Sequence, residues 1–224
     1  MSENESMKGH ENIDHLIDEL TGELMPVHRL WSPWVRASLW IGLVLVIAAY
    51  LAMTTDVADM LHRLGEAVDM WLAVIGSSLT AILAAFAVFQ LSLPDRDPRW
   101  ALLPLPGAAL WIGASGLGCL RTIILPGTHV ASLADTRACL TFIVGMSIPL
   151  SIVMVLMLRR AYTLRPNLTA MIGGLAVASA SATLLNFVHP FDAAATDLSV
   201  HVLAVAIVVS ANRLLGGGLL NPSK

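Results

Sequence analysis

The sequence predicts an all-α polytopic membrane protein, with six transmembrane helices preceded by a short amphipathic helix on the cytoplasmic side. Three observations carry that prediction. Hydrophobic residues make up 56% of the 224 and charged residues only 13%, against ~25% charged in a soluble domain. Six apolar runs recur along the chain, most of them near the ~20 residues that cross a bilayer. The charges gather between those runs, and Lys and Arg concentrate in alternate gaps. A net charge of -3 leaves no electrostatic footprint for nucleic acid. The first 36 residues are largely polar and lack the apolar core of a signal peptide, which predicts a cytoplasmic N-terminus.

Residues 1–12 have the composition of a disordered tail. Ile13, Leu16, Ile17, Leu20 and Leu24 then recur at the spacing of one helix face. Asp14, Asp18, Glu19 and Glu23 occupy the other faces, Asn12 stands at the N-cap position, and Pro26 ends the run. Anionic headgroups repel such an acidic face, so the helix is not expected to lie on the membrane. Two readings stay open. The helix packs on the protein's own inner loops, or its apolar stripe docks in a partner's groove.

Trp31, Trp34 and Arg36 mark the start of the bilayer, since aromatic rings and Arg favour that level on the cytoplasmic side. The first span is expected over about 37–53. In the following loop Val57, Met60, Leu61, Leu64 and Val68 keep helical spacing and predict a short surface helix. The second span, about 71–92, carries Gly76, Ser77, Ser78 and Thr80, which permit close helix packing. A tight turn from Ser92 to Trp100 leads to a third span at about 101–120, with Cys119 at its end. The fourth, about 138–158, opens at Cys139 and contains Pro149, the expected site of a kink. The fifth, about 167–187, is dense in Gly, Ala and Ser and predicts a central helix. The sixth is expected at about 198–215, before a Gly216–Gly218 hinge. The expected boundaries are therefore 1–36, 37–215 and 216–224.

Six spans put both ends on one side. Lys8, Arg29, Arg36, Arg96, Arg99, Arg159, Arg160, Arg165, Arg213 and Lys224 fall on that side, and only Arg63, Arg121 and Arg137 on the other. The positive-inside rule then places both termini in the cytoplasm. Cys119, Cys139, His189, Asp192 and His201 come to the outer side. Cys119 and Cys139 are the only cysteines. If their helices are neighbours, the two Cα atoms fall within the ~4.4–6.8 Å that a disulfide needs. A permanent disulfide, two packed thiols and a redox- or metal-responsive pair all fit. His189, Asp192 and His201 add candidate ligands for a transient metal ion such as zinc, cadmium or copper, although no motif spacing marks a site.

Catalysis is not expected. The chain has no Gly-rich phosphate loop, no His-Glu-x-x-His and no Gly-x-Ser-x-Gly. A membrane thiol oxidoreductase would lack its Cys-x-x-Cys. Spans nearly free of ionisable groups also weigh against transport, and a small solute or metal transporter is the alternative reading.

Several stretches carry a family resemblance. They are Ile13-Asp14-His15-Leu16-Ile17-Asp18-Glu19-Leu20 with Pro26-Val27-His28-Arg29-Leu30, Leu93-Pro94 with Arg99-Trp100-Ala101-Leu102-Leu103-Pro104-Leu105, and Gly116-Leu117-Gly118-Cys119 with Arg137-Ala138-Cys139. Leu158-Arg159-Arg160-Ala161 with Leu164-Arg165-Pro166, and His189-Pro190-Phe191-Asp192 before His201, complete the set. In this order they resemble the NrsF family of bacterial membrane anti-sigma factors over nearly the whole chain. The resemblance implies that residues 1–36 bind and sequester an extracytoplasmic-function sigma factor at the bacterial inner membrane. Ile13, Leu16, Ile17 and Leu20 would carry binding, with Asp14 and Asp18 steering a basic partner. The six-helix domain would sense oxidant or metal stress at Cys119 and Cys139. It would need no resident cofactor, and it would not bind nucleic acid directly.

Overall fold

The computed structural model describes residues 13, 15–19, 21–22, 30–66, 68–124, 133–161, 163–188 and 198–216. Among them the architecture is helical: α1 Pro33–Thr54, α2 Val57–Glu66, α3 Val68–Leu91, a 3-10 turn Pro98–Leu102, α4 Leu105–Ile124, α5 Leu133–Leu158, α6 Pro166–Val188 and α7 Leu198–Ala211. A π turn, Asn212–Gly216, continues α7. Contacts divide the chain into two units, Met1–Leu30 and Trp31–Lys224.

Among the described residues, five segments are long and apolar enough to cross a membrane: Pro33–Thr54, Val68–Leu91, Pro98–Gly118, Arg137–Leu158 and Pro166–Val188. They coincide with the first five expected spans. The sixth expected span maps to α7 and its π turn, whose apolar stretch, Val205–Leu215, is shorter than the other five. Regular α-helix ends at Ala211. There Asn212 Nδ2 donates to the Val208 carbonyl (2.9 Å) and to Ser151 Oγ on α5 (3.0 Å).

Local chemistry sets the helix ends. Ser32 Oγ accepts from the Val35 N–H at 3.3 Å, and Pro33 occupies the first turn, where its missing donor costs nothing. The first helix therefore starts ahead of the expected Ala37, and the expected 36/37 boundary falls inside it. The Asp56 carboxylate accepts from the N–H groups of Ala58 (3.0 Å) and Asp59 (3.3 Å) and starts α2, the surface helix anticipated from the 57–68 spacing. Asp97 accepts from the Arg99 N–H (2.8 Å) and opens the 3-10 turn.

The core forms where small residues let helices approach. In α6, 78% of the apolar window is buried, against 11% in α1. Gly173, Gly174, Ala176, Ala178, Ser179, Ala180 and Ser181 are all buried on it. A Cβ on Gly174 would stand 2.9 Å from Val209 Cα, so α6 and α7 cross almost backbone to backbone. Gly76 does the same for α3 and α4, since a Cβ there would stand 2.5 Å from the Trp111 backbone nitrogen. Hydroxyl pairs add direction to this packing. Thr183 Oγ1 donates to Ser77 Oγ (3.0 Å), and Ser147 Oγ donates to Ser181 Oγ (3.1 Å).

Candidate functional site

In the N-terminal unit, residues 13, 15–19 and 21–22 are helical where described. Ile13, Leu16 and Ile17 are about half exposed there, at 53%, 54% and 51%. Asp18 is also exposed. Thr21 Oγ1 turns back to donate to the Ile17 carbonyl at 2.7 Å. Asp14 and Leu20 lie outside the described residues.

Both cysteines sit inside helices rather than at their ends. α4 continues past Cys119 to Ile124, and α5 begins at Leu133, ahead of Cys139. At 1.5 Å per residue, Cys119 lies roughly 7.5 Å and Cys139 roughly 9 Å along the axis from the near end of its helix. The two cysteines therefore lie at similar distances from the facing helix ends. Cys139 is fully buried, in a cluster with Ile143 and Leu185, and Leu140 and Phe142 pack against it. The Cys119 side chain lies outside the described residues, as do His189 and Asp192. His201 falls near the start of α7, and its side chain is also outside them. No group of three metal-ligating side chains occurs among the described residues. The principal contacts of α4 are with α3, and those of α5 are with α6 and α7. The two cysteine-bearing helices thus have different principal packing partners, so the condition that they be neighbours is not met by their main contacts.

A site that the sequence did not suggest lies at the opposite ends of these helices. Arg36, read as a residue reaching for the membrane surface, is only 4% exposed. Its Nη1 donates to Ser92 Oγ at 3.2 Å and its Nη2 to the Met157 carbonyl at 2.5 Å. The guanidinium carbon stands 4.9 Å from the Phe89 ring centroid. Ser92 Oγ in turn donates to the Phe89 carbonyl at 2.7 Å. α3 and α5 both end here, and helix C-termini present unpaired carbonyls and a partial negative charge. One buried cation therefore caps α5 directly, reaches the end of α3 through the Ser92 hydroxyl, and ties both to α1. A single sequence signal anticipates this. Arg36 shares its helix face with Ala37 and Trp40, which are also buried. Beside the junction, Trp34 packs on Phe86 at 5.1 Å and meets Trp100 edge-on at 6.5 Å.

No curated protein and no solved structure matches the chain significantly. One family profile does match, described as negative regulator of sigma F, over residues 20–221. The match starts at Leu20, so residues 13–19 precede it, while both cysteines and the Arg36 junction fall within it. With nearly the whole helical unit matched, the chain belongs to the NrsF family of negative regulators of a sigma factor.

Proposed function

We propose that this protein is an anti-sigma factor of the bacterial inner membrane. It would hold an extracytoplasmic-function sigma factor through its N-terminal segment and release it when metal or oxidative stress reaches Cys119 and Cys139. The family match over residues 20–221 carries the reading. The topology proposed with it has six spans and both termini in the cytoplasm, which the uneven division of Lys and Arg supports. Exposed Ile13, Leu16 and Ile17 support a docking stripe, with Leu20 completing it and Asp14 and Asp18 steering the partner. At the other end the two thiols would react on the oxidising side. Oxidation passes two electrons and two protons to the oxidant and joins the sulfurs. A metal ion would instead take both thiolates, with His189, Asp192 and His201 as further ligands.

The energetics set what this switch can do. Moving sequestration from 99:1 to 1:99 needs ~5.5 kcal/mol of differential stabilisation. A disulfide contributes ~2–4 kcal/mol, enough for a graded release. The test is target-gene expression in the native cell. Leu16→Ala with Leu20→Ala raises basal expression toward that of a deletion, and unchanged expression refutes the docking stripe. Cys119→Ser with Cys139→Ser abolishes induction while repression persists. Normal induction in that variant refutes cysteine sensing and leaves the anti-sigma role intact.

A further inference from the structure

Between α5 and α7 runs an open groove of about 410 Å³. On its inner side α7 lies close against α6, where a Cβ on Gly174 would stand 2.9 Å from Val209 Cα. α5 lines the groove with a stripe of one residue per turn: Val144, Ile148, Ile152, Val155 and, at the end, Arg159. Ile207, Ala211 and Leu215 of α7 and its π turn face that stripe. The polar groups at the floor are already used within the protein, because Asn212 bonds Ser151 and Ser147 bonds Ser181. The length of the groove therefore offers apolar surface, and its one charge sits at one end. Arg159 is exposed, and its side chain has no ion-pair partner among the described residues.

We infer that this groove binds an anionic phospholipid of the inner leaflet, with one acyl chain between α5 and α7 and the phosphate at Arg159. Three observations select this occupant. From Val144 to Arg159 the stripe extends roughly 22 Å, more than the ~15 Å of one hydrocarbon leaflet. It can therefore take a chain along its whole depth. The charged end also carries Arg160 and Arg165 in the α5–α6 connection, the end that the charge distribution assigns to the cytoplasm, where anionic lipids concentrate. Arg159, the one charged residue lining the groove, has the sign and the position that a headgroup phosphate needs. A lipid seated here would bridge the helix that carries Cys139 and the last helix of the bundle.

The test uses the full chain in nanodiscs made from equal amounts of phosphatidylglycerol and phosphatidylethanolamine, released into mild detergent for native mass spectrometry. Such discs are symmetric, so the result does not depend on the proposed orientation or on the sigma-factor reading. The wild type retains phosphatidylglycerol over phosphatidylethanolamine by about fivefold, the weight of one basic residue at an anionic surface. Arg159→Gln brings the ratio to near one, Arg159→Lys keeps most of it, and Arg160→Gln leaves it unchanged. Ile152→Trp fills the groove from an exposed position and lowers retention of both lipids. Equal retention by the wild type, or a preference that survives Arg159→Gln, overturns the inference. So does a second copy of the chain that Ile152→Trp releases.

Discussion

The two ends of the helical unit are held by different forces. Around Arg36 the attachments are directional, with two hydrogen bonds from one cation to α3 and α5 and an aromatic face beneath it. Around Cys139 the hydrophobic packing comes from Ile143, Leu185, Leu140 and Phe142. Hydrogen bonds to a charge have one good geometry, whereas apolar contact is graded and tolerates small displacements. The comparison teaches where a switch can sit. If the proposed sensing at Cys139 holds, chemistry at its sulfur would act on the apolar end, while the Arg36 hydrogen bonds tie α1 to the ends of α3 and α5.

The largest expected effect comes from breaking the directional end. Arg36→Met keeps the volume and removes both donors, so Ser92 and the Met157 carbonyl lose their bonds to the cation. Bonds to a charged group are worth about 1.5–3 kcal/mol each, which predicts a loss on the order of 3 kcal/mol. Unfolding of the full chain in detergent, followed by circular dichroism, measures it. Arg36→Lys recovers only part, because a point ammonium lacks the planar fork that serves two acceptors on two helices at once. A methionine variant as stable as the wild type would mean that the junction is a neighbourly contact and not a clasp.

At the apolar end the same measurement gives a small number. Cys139→Ala removes one sulfur from a buried cluster and costs about 1 kcal/mol. The same variant loses induction in the cell if the thiol is the sensing group. Small structural cost with complete functional loss separates a chemical role from a packing role. A loss near that of Arg36→Met would instead make Cys139 a core residue.

Most of the fold was legible from hydropathy. The expected 71–92 and 167–187 meet helices Val68–Leu91 and Pro166–Val188 almost end to end, because apolar length is the property that lipid selects. The helix ends beside the two cysteines were not. Thr122 in α4, and Asp135, Thr136 and Arg137 in α5, are polar yet helical, and hydropathy marks where lipid ends rather than where the helix does. Where regular helix halts at Ala211, Asn212 reaches Ser151, a contact across the chain that no local pattern announces. The burial of Arg36 escaped for the same reason. A cation at a span boundary has an easy local explanation, and the two helix ends that enclose it lie far away in sequence.

The smallest expected effect probes the seam between the two ends. Ser147 Oγ donates to Ser181 Oγ at 3.1 Å, partway along the contact between α5 and α6, and both residues are buried. Such bonds within membrane helices average ~0.6 kcal/mol, because the unpacked helices find other partners. Ser147→Ala and Ser181→Ala should therefore each cost about that much, and the double variant little more than either, since one bond is lost in all three. Additive costs would show that each hydroxyl has its own partner and that the pair is no tie. A cost well above 1 kcal/mol would move the stiffness of α5 from its Arg36 end to its middle.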